Sequence, residues 1–173
     1  MKRFSLTLLM FLLVSPALVA QTRKRSTTPK PKPTSTATQQ VTQARTAGAN
    51  RVADQIKFLV KFIYLLGGAT NNIAAVDELI RNKQAPPDAP QKNQLAKNQV
   101  RTSIQGFREA LDKLEIDFRN TPELQPYYIK LAGVAAGAAD AEQKAAADQF
   151  DPAGRSLLLV VNRLADVLVI MRG

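Results

Sequence analysis

From about Arg51 onward, large apolar residues recur at alternating spacings of four and three, and no convincing segment alternates with a period of two. That spacing lays side chains in a stripe along an α-helix, so the pattern predicts helices and no strands. In the first helix the stripe is Val52, Ile56, Leu59, Ile63, Leu66, Thr70, Ile73, Asp77 and Ile80. A second stripe of Phe58, Phe62, Leu65, Ala69 and Val76 widens it, leaving Asp54, Lys57 and Lys61 as the clearly polar face. Such a helix is expected to be central or covered by more than one neighbour. Gly67-Gly68 is its weakest point, where it can kink or split, and the closely spaced prolines of Gln84-Ala-Pro-Pro-Asp-Ala-Pro90 end it.

The second helix has the cleanest pattern: Val100, Ile104, Phe107, Leu111, Leu114 and Phe118 follow one another without a polar interruption. Its other faces are charged. Arg108 with Asp112, Glu109 with Lys113, Lys113 with Asp117 and Glu115 with Arg119 are each four apart, predicting a solvated surface with weak ion pairs. A third helix is predicted to begin at Pro126 and to run through an Ala/Gly-rich stretch to Ala147. Asp151-Pro152 then reads as an N-cap and first-turn proline for a last helix ending near Arg172. Its stripe is Leu157, Val161, Leu164, Leu168 and Met171, broadened by Leu158, Val160, Ala165 and Val167.

Four helices with short, proline-marked connections predict an all-α fold, an elongated up-down-up-down four-helix bundle. At 1.5 Å per residue the first two helices would run to about 40–50 Å and the last two to about 30–35 Å. The bundle domain is expected over residues 46–173. Residues 1–20 read as a signal peptide: Lys2 and Arg3, an apolar run from Phe4 to Val14, then Pro16 and small residues. Cleavage after Ala20 or after Ala17 would leave a mature chain beginning at Gln21 or Leu18. Residues 21–45 are expected to be a disordered basic linker. Their first part contains Pro29, Pro31 and Pro33 and offers no large apolar side chain to offset the entropy of ordering.

Charge changes this picture in one respect. The 173 residues carry a formal charge of +10, but Arg23, Lys24, Arg25, Lys30 and Lys32 fall in a stretch without acids, leaving 17 basic against 14 acidic residues from 41 onward. The helical part is nearly balanced, and much of the basicity belongs to the tail. Anionic envelope surfaces are the polyanions this tail would meet in an exported protein. It lacks the interleaved aromatics of a single-strand reader, so no specific nucleic acid is expected.

The chain has no Cys and no His. That excludes disulfides, thiolate metal sites and the commonest general base and nucleophile. Carboxylates remain, and most lie on charged helix surfaces. Asp77 alone falls in an apolar stripe, where Arg81, four residues on, can pair with it. No residue is therefore assigned a catalytic, cofactor-binding or metal-binding role, and the chain is read as non-enzymatic. Gly133-Val-Ala-Ala-Gly137 has small-xxx-small spacing, but Lys130, Asp140, Glu142 and Lys144 surround it, so it reads as internal helix packing, with Gly67-Gly68 the candidate opposite surface. In the terminal helix Asn162, Arg163 and Asp166 interrupt the apolar runs, and no transmembrane helix is expected in the mature chain.

The expected role is that of an exported protein, periplasmic or secreted, acting through protein-protein or envelope-surface contact with an unknown partner or as a homo-oligomer. Anchoring by an uncleaved signal is the alternative localisation. The alternative role is a carrier holding a small apolar ligand in the core beside Phe58, Phe62, Phe107 and Phe118.

Overall fold

The computed structural model describes residues 34–173, all of whose regular structure is helical. The expected signal peptide and the first part of the expected linker lie outside the described residues. Five helices follow in order: α1 (Thr34–Arg81), α2 (Ala89–Asn120), α3 (Gln125–Leu131), α4 (Val134–Ala146) and α5 (Phe150–Arg172).

α1 begins well before the expected domain boundary, so residues 34–45, assigned by composition to the linker, are helical. Once the helix exists further along, each added residue costs only its own propagation step. Pro33 is the last breaker before it, and Ala37, Gln39, Gln40, Ala44 and Arg45 are good helix formers. At its 48 residues α1 is roughly 70 Å long, beyond the length expected from the stripe. Gly67-Gly68 does not split it. Both glycines face open space, and the turns on either side carry Leu59, Leu66 and Ile73, which are buried and hold the helix in register.

Packing partners identify the relative directions of the helices. The N-terminal part of α1 meets the ends of α2 and α5: Arg51 pairs with Asp117, and Gly48 packs under Leu124 and Met171. Its C-terminal part meets the beginnings of both, through Asp77 with Lys97 and Leu66 with Gly154. α4 lies between α2 and α5, with Arg108 on Glu142 to one side and Gly137 against Val160 on the other. Each of these neighbouring pairs is antiparallel. The shared core contains Val52, Leu59, Leu66 and Ile73 of α1 at strict spacings of seven, together with Ile104, Leu111 and Phe118 of α2, Ala138, Ala141 and Ala145 of α4, and Leu157, Leu164 and Met171 of α5.

The predicted third helix is broken. α3 ends at Leu131, and Gly133, at φ 93°, starts α4 in the left-handed region that glycine enters without strain. Two side chains clamp the break: Glu115 Oε1 accepts the Gly133 and Ala135 N–H groups at 3.0 and 2.7 Å, and Arg163 donates to the Ala132 carbonyl. Gly137 does pack internally, but against Val160 of α5 and not against Gly67-Gly68. α5 starts at Phe150, not after Asp151. Phe150 is buried, Asp151 sits in the first turn, and Gln149 occupies the cap position.

Two further readings change. Phe58 and Leu65 of the second α1 stripe are exposed, and Phe62, Ala69 and Val76 are only half-buried, because α2 and α5 together cover less than half of the helix circumference. None of the four predicted i,i+4 ion pairs of α2 forms among the described residues. Arg108, Asp117 and Glu115 reach instead to other helices, where a partner fixed by packing outcompetes a mobile neighbour on the same surface.

Candidate functional site

Three polar clusters and two apolar surfaces are the places where this fold could do something. The first polar cluster joins the C-terminal part of α1, the start of α2 and the α4–α5 turn. Asp77 accepts Asn93 Nδ2 at 2.8 Å and pairs with Lys97 at 2.8 Å, not with Arg81. Lys97 reaches on to Asp148 at 3.6 Å, and Arg101 donates to Asp148 at 2.6 Å and to the Ala145 carbonyl at 3.2 Å. Asp148 is itself held at φ 60° where α4 terminates. The hydrogen-bonded Asp77 carboxylate, with Asp148 adding, keeps the Lys97 ammonium above the ordinary lysine value despite desolvation. The lysine side chain is only 12% exposed, so no substrate reaches it easily. Every charge here is spent on joining helices.

The second cluster places a hydroxyl between a carboxylate and an ammonium. Ser156 Oγ donates to Asp140 Oδ2 at 2.6 Å and accepts from Lys144 Nζ at 2.7 Å, while Lys144 and Asp140 are 2.6 Å apart. These are residue types a serine hydrolase could use, but the arrangement works against nucleophilic attack. The Lys144 ammonium donates to both oxygens, and Lys144 and then Ser156 hold Asp140 below the usual carboxylate range, which makes the one group facing the serine proton a weak base for it. Ser156 is also buried within the α5 backbone ladder, leaving no free pair of N–H groups to stabilise an oxyanion. The cluster ties α4 to α5. Sequence reasoning passed over it, although the Asp140–Lys144 spacing of four was visible. The Glu115–Arg163 clamp described above is the third cluster, and it too is spent on structure. Among the described residues no group of three or more acids has the spacing of a metal site.

The apolar surfaces differ in kind. A groove of about 500 Å³ runs between α1 and α2, lined by Ala69, Ile73, Val76, Leu79, Pro86 and Ala96. Asn93 lies at its floor, where it also donates to the Ile73 carbonyl. The phenylalanines expected to flank a ligand space lie elsewhere: Phe62 and Phe107 pack on each other with centroids 5.1 Å apart, Phe118 is fully buried under Arg51, and Phe58 points outward. The second is a set of exposed apolar side chains rather than a groove. On α1, Tyr64 is 83% exposed, with Phe58, Val60 and Leu65 exposed close by, and on α5 Leu158, Leu159, Val169 and Ile170 are exposed.

No protein-family model, curated protein or solved structure matches the chain. Function therefore has to be argued from these surfaces. By length and composition α1, over Ala37–Arg81, could cross a membrane, whereas the terminal helix α5 does not meet the same test. The most apolar 18-residue window of α1 has a mean hydropathy of 1.3 and is only 22% buried.

Proposed function

We propose that the protein is exported and non-enzymatic, and that it works by surface contact, its described helices forming one up-down-up-down four-helix bundle with α3 and α4 together as the third arm. One observation carries this reading. The polar clusters are consumed in joining helices, while large apolar side chains on α1 and α5 are left uncovered. Exposed apolar side chains grouped on neighbouring helices, next to charged ones, are a mark of interaction surfaces. The order of basic, apolar and small residues in 1–20 supports export, and the basic tail would bring the chain to anionic envelope material. The unknown partner is a protein, a second copy or the envelope surface.

Fractionation of expressing cells tests the reading. Mass spectrometry of the exported fraction should find an N-terminus near Leu18 or Gln21, and the same chain should sediment with, or be captured by, envelope material. A cytoplasmic protein retaining Met1 and making no contact would refute it. The groove between α1 and α2 favours a second reading, a carrier of a small apolar ligand, since its volume is in the range of small-molecule sites. Uptake of a fluorescent fatty-acid probe that Ala69→Phe abolishes would point to that reading instead.

A further inference from the structure

One polar atom at the groove between α1 and α2 is left out of the packing. Asn93 is only 6% exposed, and its Nδ2 group is committed: it donates to Asp77 Oδ1 at 2.8 Å and to the Ile73 carbonyl at 3.4 Å. Asp77 fixes which way round the amide sits, because the flipped amide would set its carbonyl oxygen against a carboxylate, acceptor against acceptor. Asn93 Oδ1 therefore faces elsewhere, and no donor among the described residues reaches it. Nor is this oxygen an orphan sealed in the core. Asn93 borders the groove, and the groove is its opening. We infer that the groove binds an uncharged apolar molecule carrying a hydroxyl, whose O–H donates to Asn93 Oδ1. The inference rests on the carrier reading of this groove and leaves the outer surfaces of α1 and α5 to the contact reading.

The walls say what the rest of the ligand is. Ala69 of α1 and Ala89 and Ala96 of α2 border the groove, and their small side chains leave about 500 Å³ open between the two helices. Val76 and Leu79 supply apolar wall, and buried Ile73 lies beside Asn93 at the floor. An apolar space of this order with one fixed polar point is the usual composition of a small-molecule site. Charge rules out an ionic ligand. Asp88 and Lys92 at the rim neutralise each other, and Asp77, behind Asn93, is taken by Lys97. An ionised carboxylate, a ketone or an ether would turn an acceptor toward Oδ1. Any molecule that covers that oxygen without donating to it strands a buried acceptor, and loses affinity for that reason. A hydroxyl is the neutral donor that brings least other polar surface into an apolar groove.

Three probes isolate the hydroxyl: 2-naphthol, 2-methoxynaphthalene and 2-naphthoate share one ring system and differ at the group that would meet Asn93. The protein has no tryptophan, so naphthalene emission is read cleanly as each probe is titrated with the full chain. 2-Naphthol should bind about fivefold or more tightly than either of the others, the worth of one hydrogen bond to a buried neutral acceptor. Asn93→Leu should bring 2-naphthol down to the level of the ether. Ala96→Phe, at an exposed position on the groove wall, should weaken both neutral probes with unchanged circular dichroism. The Asn93 side-chain amide resonances should move on adding 2-naphthol, which locates the hydroxyl even if Asn93→Leu does not fold. Equal binding of 2-naphthol and the ether to the native chain would overturn the inference while leaving the carrier reading standing. So would tightest binding of 2-naphthoate, or a preference for 2-naphthol that leaves the Asn93 amide resonances unmoved. Binding of none of the three would remove the carrier reading together with it.

Discussion

Replacing Glu115 by alanine should destabilise the helical domain far more than the same change at Glu109, six residues earlier on the same helix. Glu115 Oε1 accepts two backbone N–H groups at the start of α4, from Gly133 at 3.0 Å and Ala135 at 2.7 Å. Both belong to the set that a helix N-terminus leaves unpaired, and a carboxylate there also meets the positive end of the α4 dipole. Losing a capping side chain costs about 0.5–2 kcal/mol, and the favourable charge at a helix start adds about 0.3–1 kcal/mol. Glu115 is half-buried, so water replaces it incompletely. Together these give about 2 kcal/mol for Glu115→Ala. Glu115→Gln keeps an acceptor oxygen and loses the charge, and should cost about 1 kcal/mol. Glu109 accepts only the exposed Gln105 amide, and Glu109→Ala should change stability by less than about 0.5 kcal/mol. For a domain of this size 2 kcal/mol lowers Tm by roughly 7 °C, which thermal unfolding followed by circular dichroism resolves easily. If Glu115→Ala and Glu109→Ala melted together, the side chain would not be holding the α3–α4 break.

Mid-helix glycines should divide by their surroundings. Gly68→Ala and Gly106→Ala meet nothing within 4 Å and should each raise stability by up to about 1 kcal/mol, whereas Gly137→Ala would put its Cβ 2.7 Å from Val160 Cγ2 and should lower it, as urea titrations of the three variants would show. Stability should also depend on alkaline pH through Lys97. Its folded-state pKa lies above the unfolded value, so its contribution is fully present below the ordinary lysine pKa and is lost as pH rises through the raised one. Lys97→Met should remove that part of the alkaline slope in chemical unfolding measured across the range, and an unchanged slope would show that the Asp77 pairing contributes nothing.

The parts of the fold that local spacing can encode were readable in advance. The α2 stripe Val100, Ile104, Leu111, Leu114 and Phe118 is buried as the periodicity requires, with Phe107 at its edge. Phe58 and Leu65 show where periodicity stops: two apolar stripes can be traced on α1, but how many neighbours arrive to cover them is decided by elements elsewhere in the chain. The break at Gly133 was hidden for a different reason. Helix-forming sequence lies on both sides, Ala-rich in α4, and the choice to interrupt it depends on Glu115 and Arg163 from two other helices. Likewise Asp77 prefers Lys97 over Arg81 because α2 delivers Lys97 to a half-buried position. Glu115 and Glu109 look alike in the sequence, each with a basic residue four positions on, and only the antiparallel approach of α4 makes one of them a cap. The polar clusters that a search for chemistry would examine are thus the very features least visible without the packing.

The overhang of α1 has a thermodynamic side. Core contact begins at Gly48 and Ala49, and from Ala37 to Gln43 every side chain is exposed. Geometrically α1 is one helix, yet its amide protons should exchange in two regimes. Those after Gly48 can open only when the domain unfolds, while those before it need only unwind from the free end, against little more than the propensity of a Thr/Gln/Ala sequence, helped by Thr42 and Thr46 hydroxyls bonded back to Thr38 and Thr42 carbonyls. The first three turns would then behave as a spring-loaded coil, shortening or paying out the connection to the basic tail by the difference between about 1.5 Å and about 3.3 Å per residue without disturbing a single core contact.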